Sequence, residues 1–159
     1  MLLEEKLVSV LKEKNLIAAT AESCTGGFIA KRITDVSGSS SVFNCGIVSY
    51  SNEIKQKVLG VSNETLEKYG AVSEQTVREM VAGVLRVSGA DIAVSVSGIA
   101  GPYSDNTEKP VGLIFLAASN GKETVVKKLE NNFSGDVRAL NRESASDEAL
   151  KLLLDLAGG

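Results

Sequence analysis

Between Leu16 and Arg32 the chain reads LIAATAESCTGGFIAKR, and its hydrophobic pattern changes once, at a pair of glycines. An apolar run (Leu16-Ile17-Ala18-Ala19) gives way to polar residues from Thr20 to Thr25. It passes through Gly26-Gly27 and resumes as Phe28-Ile29-Ala30. A change of period across clustered turn residues reads as strand, turn, helix. Ser23 then stands at the strand's carboxyl end, facing the backbone N–H groups of Thr25 to Phe28. Helix-start amides, with the helix dipole behind them, hold a phosphate or a developing oxyanion. Ligands of open α/β sheets bind at that edge. The same pattern also fits a plain β–α turn whose glycines serve tight packing alone.

The rest of the chain supplies the layers. Leu2, Leu3, Leu7, Val10 and Leu11 lie on one face of an amphipathic helix over residues 2–14. The helix after the glycines runs to about Val36 and buries Phe28, Ile29, Ile33 and Val36. A polar loop at 37–41 leads to a second strand, VFNCGIVSY (42–50). A short helix carrying Ile54, Val58 and Leu59 ends at Gly60, and another runs from Ser62 to Tyr69. Ser73 caps a helix over 74–88, with Val77, Met80, Val81, Val84 and Leu85 inward. Residues 91–97 form a small-residue strand, followed by a tight turn (98–102), an exposed loop (103–109) and a fourth strand (110–118). Asn120-Gly121 is a strong hairpin signal that returns 123–129 antiparallel. Ser134-Gly135-Asp136 opens a last helix, with Val137, Leu140, Ala145, Leu150, Leu153 and Leu154 inward. The expected fold is α/β: a three-layer α/β/α sandwich with a mixed, mostly parallel sheet and a C-terminal antiparallel hairpin. Its 159 residues suit one domain spanning 1–159.

Composition narrows the chemistry. The chain has no histidine, so a Ser-His-Asp site, a Cys-His site and a His-ligated zinc centre are all excluded. Acid–base work at neutral pH falls to Lys, Tyr, Asp, Glu or water. The two cysteines, Cys24 and Cys45, have neither disulfide-framework nor metal-site spacing. Neither a metal nor an organic cofactor is called for. A formal charge of -3 argues against nucleic acid as the partner. No apolar run reaches the roughly 18 residues that cross a bilayer, and the acidic N-terminal segment lacks signal-peptide architecture. No membrane association is expected, and the default compartment is cytoplasmic.

Three turns gather at one edge of the expected sheet: Ser23 to Gly27, Tyr50 to Lys55, and Ser97 to Pro102. A serine nucleophile needs a base, and with histidine absent a desolvated, neutral lysine is the workable choice. Lys55 follows Tyr50 by five positions across a strand-to-helix turn, so both are placed to share a cleft. Lys55 also reads as a solvated charge, Tyr50 as an amphipathic strand end and Ser97 as a structural hydroxyl.

Taken together, AESCTGG (21–27), GIVSYSNEIKQKVLGV (46–61), GAVSEQTVREM (70–80), SVSGIAGP (95–102), KPVG (109–112) and FSGD (133–136) resemble the CinA C-terminal domain family. The resemblance runs in order from about residue 5 to 156. It implies an α/β/α layered fold and, for the family's deamidases, hydrolysis of nicotinamide mononucleotide to nicotinate mononucleotide and ammonia, a step of pyridine nucleotide recycling. By resemblance Ser23 is the nucleophile, Lys55 the base and Tyr50 an assisting group. Thr25, Gly26, Gly27, Ser97, Gly98, Gly101, Asn106, Arg138 and Arg142 are the candidate substrate-binding residues. The partner implied is a small pyridine nucleotide, and the family is commonly homo-oligomeric. Two departures stand out. The family's Gly-Gly-Ser/Thr after GIAGP is replaced by the loop Tyr103-Ser104-Asp105-Asn106. Val137 and Asn141 occupy two arginine positions, with Arg138 and Arg142 each one residue along. One residue is about 100° around a helix, which turns Arg138 away from the family's direction. The alternatives are a non-catalytic nucleotide-binding or regulatory module, or a deamidase of a different amide.

Overall fold

The structure, a computed structural model, describes all 159 residues. Its elements are α1 (Leu3–Lys14), β1 (Ala18–Glu22), α2 (Phe28–Thr34), β2 (Phe43–Val48), α3 (Asn52–Leu59), α4 (Asn63–Tyr69), α5 (Glu74–Ser88), β3 (Ile92–Gly98), β4 (Leu113–Ser119), β5 (Thr124–Glu130) and α6 (Val137–Leu156). The five strands form one sheet in the order β2-β1-β3-β4-β5. β1 pairs parallel with β2 and β3, while β3–β4 and β4–β5 are antiparallel. Only β4 therefore runs against the other four strands, and the sheet is mixed.

Alternation along the strands sorts side chains into two apolar layers. Val94 and Val96 of β3, with Ile114 and Leu116 of β4, pack beneath Leu7, Leu11, Ile29, Ile33, Leu150 and Leu153 from α1, α2 and α6. The opposite face is lined by small residues, Ala19, Ala21, Ala93 and Ala117, against Val77, Met80, Val81 and Val84 of α5. Small side chains leave α5 close enough for the Ser95 hydroxyl to donate to the Val77 carbonyl at 2.6 Å. α5 starts where Ser73 Oγ accepts from the Thr76 amide at 3.1 Å, and its apolar residues recur at helical spacing. At its middle, Gly83 touches α3 so closely that a Cβ would lie 1.9 Å from the Leu59 carbonyl oxygen.

The order 2-1-3 has a functional consequence. The connection leaving β1 passes through α2 to β2, and the one leaving β2 passes through α3, α4 and α5, on the other face, to β3. The chain thus departs in opposite directions beside β1 and β3, and a crevice opens outside their carboxyl ends. Ser23 lies just past β1, and Ser97 lies at the end of β3.

Several local expectations are corrected. β1 begins at Ala18 and continues through Thr20, Ala21 and Glu22, all buried, so half of the polar segment is strand and not turn. β2 stops at Val48 and β4 starts only at Leu113. Ser39–Ser41, expected as loop, forms a 3-10 turn. Leu2 is exposed ahead of α1, and Phe28, Val137 and Leu140 are only half-buried. These residues sit at element ends, where helical or strand period no longer decides which side is covered.

Candidate active site

Glu22, the last residue of β1, shapes the turn that carries Ser23. It is fully buried, and its carboxylate accepts from Thr25 Oγ1 at 2.6 Å and from the Ile29 and Ala30 amides at 3.0 Å each. Gly27 precedes α2 with no side chain to cap it, so Glu22 does that work from seven residues upstream. The protein's own carboxylate therefore takes the first amides inside α2. Of the four amides expected to face an anion, those of Gly26 and Phe28 are occupied by the Ser23 and Thr25 carbonyls at 3.0 Å, and those of Thr25 and Gly27 have no acceptor within the chain.

Lys55 comes to Ser23 from the opposite face. Ser51 caps α3 by accepting from the Ile54 amide at 3.2 Å, and Lys55 points from the opening of that helix into the protein. It is 1 % exposed. Its Nζ donates to Ser23 Oγ at 3.0 Å and to the Ser49 carbonyl at 2.7 Å. Ser49 is itself tied to β1, its amide donating to the Glu22 carbonyl at 2.7 Å. Burial without a carboxylate partner lowers the Lys55 pKa from 10.5 to about 8. The dipole of α3, positive at this end, acts in the same direction. Cys24, next to Ser23, is buried and its thiol is pushed up to about 12 by desolvation, so it stays protonated and inert.

A cavity of about 640 Å³ opens over this pair. Ser23, Lys55, Tyr50, Ser97, Gly98, Gly101 and Arg138 all line it, together with Cys24, Asn52, Glu67, Tyr103, Asp105 and Thr107. Ser97 is 1 % exposed, in register with Phe115 of β4, and its hydroxyl sits at the cavity wall. Tyr50 is at the rim and largely exposed. Its hydroxyl accepts from Arg138 Nη2 at 3.0 Å and makes no bond to Ser23 or Lys55. Arg138, expected to be turned away, nonetheless lines the cavity; it stands in the first turn of α6, which Asp136 caps by accepting from the Ala139 amide at 3.3 Å. Val137 packs on Gly101, and Arg138 Nη1 reaches the Gly101 carbonyl at 2.7 Å.

Five other candidates lie away from the cavity wall. Thr25 is buried and turned to Glu22; Gly26 and Gly27 form the left-handed bend ahead of α2; Asn106 is exposed at the loop tip. Arg142 lies behind the serine turn, donating to the Cys24 carbonyl at 3.2 Å and the Thr25 carbonyl at 3.0 Å. Asn141, which sequence reasoning treated only as a lost arginine, is buried and donates to the Ala100 carbonyl at 2.9 Å. Its signal was present in the spacing: 138, 141, 142 and 145 share one helical face.

Residues 2–157 match the protein family described as CinA C-terminal domain. Nicotinamide-nucleotide amidohydrolase PncC of Enterobacter agglomerans is 52% identical over 143 residues, covering 90% of this chain and 87% of that protein. A competence-damage inducible protein of Thermoanaerobacter sp. strain X514 is 52% identical over 134 residues, 84% of this chain but 32% of that protein. The chain thus spans about a third of the length of such relatives. Among solved structures, competence/damage inducible protein CihA from Agrobacterium tumefaciens superposes with a TM-score of 0.91 at 40% identity, covering 97% of this chain and 93% of that chain. A CinA superfamily protein from Escherichia coli gives 0.90 at 30% identity, covering 97% and 88%. Sequence along nearly the whole chain and fold agree: the chain belongs to the CinA C-terminal domain family.

Proposed function

We propose that the chain is an amidohydrolase that removes ammonia from the carboxamide of nicotinamide mononucleotide, through Ser23 and Lys55. The observation that carries this reading is the 3.0 Å contact between a buried, carboxylate-free Lys55 and the Ser23 hydroxyl, at the floor of a cavity of nucleotide size. The 52% identity to a nicotinamide-nucleotide amidohydrolase supports the substrate.

With a pKa of about 8, about one Lys55 in ten is neutral at pH 7. The neutral amine keeps an N–H on the Ser49 carbonyl and directs its lone pair at the Ser23 hydroxyl. As Ser23 Oγ bonds to the carboxamide carbon, its proton passes to Lys55 Nζ. The tetrahedral intermediate expels nitrogen as Lys55 returns that proton, releasing ammonia and leaving an acyl-serine ester. Water then adds to the ester, giving its proton to Lys55; the C–Oγ bond breaks, Ser23 is reprotonated, and the carboxylate product leaves. Arg138 and Tyr50, paired at the rim, are assigned to the anionic end of the substrate and not to the proton path.

Ammonia release from nicotinamide mononucleotide by purified protein, with Ser23→Ala as the blank, tests the reading. Release that vanishes in the variant supports it; no release from folded protein sinks it. Tyr103, Asp105 and Thr107 at the cavity wall favour a second reading, a different amide substrate, which a panel of pyridine amides in the same assay separates from the first.

A further inference from the structure

Three side chains from the first two turns of α6 hold backbone carbonyls of the two loops that frame the cavity. Arg138 holds Gly101, Asn141 holds Ala100, and Arg142 holds Cys24 and Thr25. A planar trans peptide carries its C=O and N–H on opposite sides. With the Ala100 carbonyl drawn to Asn141, the Gly101 N–H at the other end of that peptide faces away from α6. Gly101 lines the cavity, and this N–H has no acceptor within the chain. Across the cavity the Ser23 carbonyl is taken by the Gly26 amide, which turns the Cys24 N–H outward. Cys24 also lines the cavity, and its N–H too has no acceptor within the chain. Arg142 fixes the next two carbonyls and so the pitch of that turn.

Asn141 itself has an unusual place. It is 2 % exposed, and its buried Oδ1 accepts no hydrogen bond from the chain. Burying an amide there for one bond within the chain costs desolvation that an apolar side chain would not. Its structural merit is the single bond to Ala100.

We propose that Asn141 and Arg142 are positioning residues of the hydrolysis: they hold the two loops so that the Gly101 and Cys24 amides point at one place beside Ser23 Oγ. There the amides donate to the oxyanion that forms when Ser23 adds to the carboxamide. Such donors act on the transition state and not on the bound substrate, so they change kcat and leave KM. The inference rests on the amidohydrolase reading, and the experiment keeps the two apart.

Asn141→Leu and Arg142→Met are made in the full chain and checked for folding by circular dichroism. Two rates are read: ammonia release from nicotinamide mononucleotide, and sulfonylation of Ser23 by phenylmethanesulfonyl fluoride, followed by intact mass. Asn141→Leu is expected to lower kcat by about 10- to 100-fold, approaching the loss of one oxyanion donor. KM should stay within about two-fold and the pH midpoint should be unmoved. Sulfonylation should slow in parallel, and Arg142→Met carries the same expectation should Asn141→Leu fail to fold. Both rates unchanged in a folded variant, or a rise in KM at constant kcat, overturns the inference. If the wild-type chain releases no ammonia but Ser23 is sulfonylated, more slowly in the variants, the substrate is wrong and the inference stands. A wild-type Ser23 that the reagent does not label overturns it.

Discussion

Glu22 and Lys55, both 1 % exposed, flank Ser23 from opposite faces of the sheet and do not meet. Each has its own partners: Glu22 takes three donors from the start of α2 and its turn, and Lys55 takes the Ser23 hydroxyl and the Ser49 carbonyl. A direct ion pair would hold Lys55 protonated and raise its pKa. Separation of the two groups keeps the Lys55 pKa low, as the proposed role of base requires.

Ser23→Ala and Lys55→Met should each lower kcat by about 10³-fold or more while the fold survives, since a nucleophile and its base act as one unit. The double variant should be scarcely worse than either single one. Steady-state kinetics with circular dichroism checks this; near-full activity in either single variant rules out the Ser-Lys mechanism.

Turnover should rise with pH through a midpoint near the Lys55 value of about 8, then level off. Stability should respond in the same direction. The unfolded lysine keeps its proton up to 10.5, while the folded one loses it near 8. Between those values the unfolded chain binds more protons, so this group's contribution to stability increases with pH, by about 3 kcal/mol over the window. Below about 8 the burial penalty is fully in force. Lys55→Met should therefore be more stable than wild type at pH 7, with the gap closing by pH 10 in denaturant titrations.

Gly83→Ala places a methyl where the Leu59 carbonyl oxygen already stands. It should cost about 2 kcal/mol or more, as overpacking does, and push α3 off α5. Because α3 carries Lys55, turnover should also fall at temperatures where the variant is folded. Denaturation midpoints and kcat measured on the same preparation decide; if neither moves, the two helices do not fix the base.

Glu22→Gln keeps the shape but gives the group an NH₂ where it accepts from backbone amides. One donor then faces another in a buried place, at a cost of about 1–3 kcal/mol. The loss should appear in urea denaturation with an unchanged slope, and a larger share of the variant's α2 amides should exchange with deuterium.

Much of this architecture was legible because local signals agreed. Ser73 to Gly89 reads as a capped helix with the ends that α5 has, since cap, period and stop coincide there. The Asn120-Gly121 hairpin is equally plain. Thr20 and Glu22 read as turn because a polar pair inside a fully buried strand breaks the usual pattern, and only the amides of α2, met later in the fold, account for Glu22. The site was half visible. Ser23, Tyr50 and Lys55 follow strands whose order puts their turns together, but α6 acts on residues 117 and 118 positions away. The rotation by one residue does not keep Arg138 from the cavity, because its long side chain in the first turn of α6 reaches the Gly101 carbonyl and the Tyr50 hydroxyl from there.

The dependence of both loops on α6 also sets an order of events in the cell. α6 is synthesised after every strand and loop it ties together, and until it docks, Ala100, Gly101, Cys24 and Thr25 have no clamp and one apolar layer of the sheet is bare. A nascent chain halted before residue 137 would hold Ser23 and Lys55 yet lack the frame around them. The proposed chemistry would then wait until translation has passed α6.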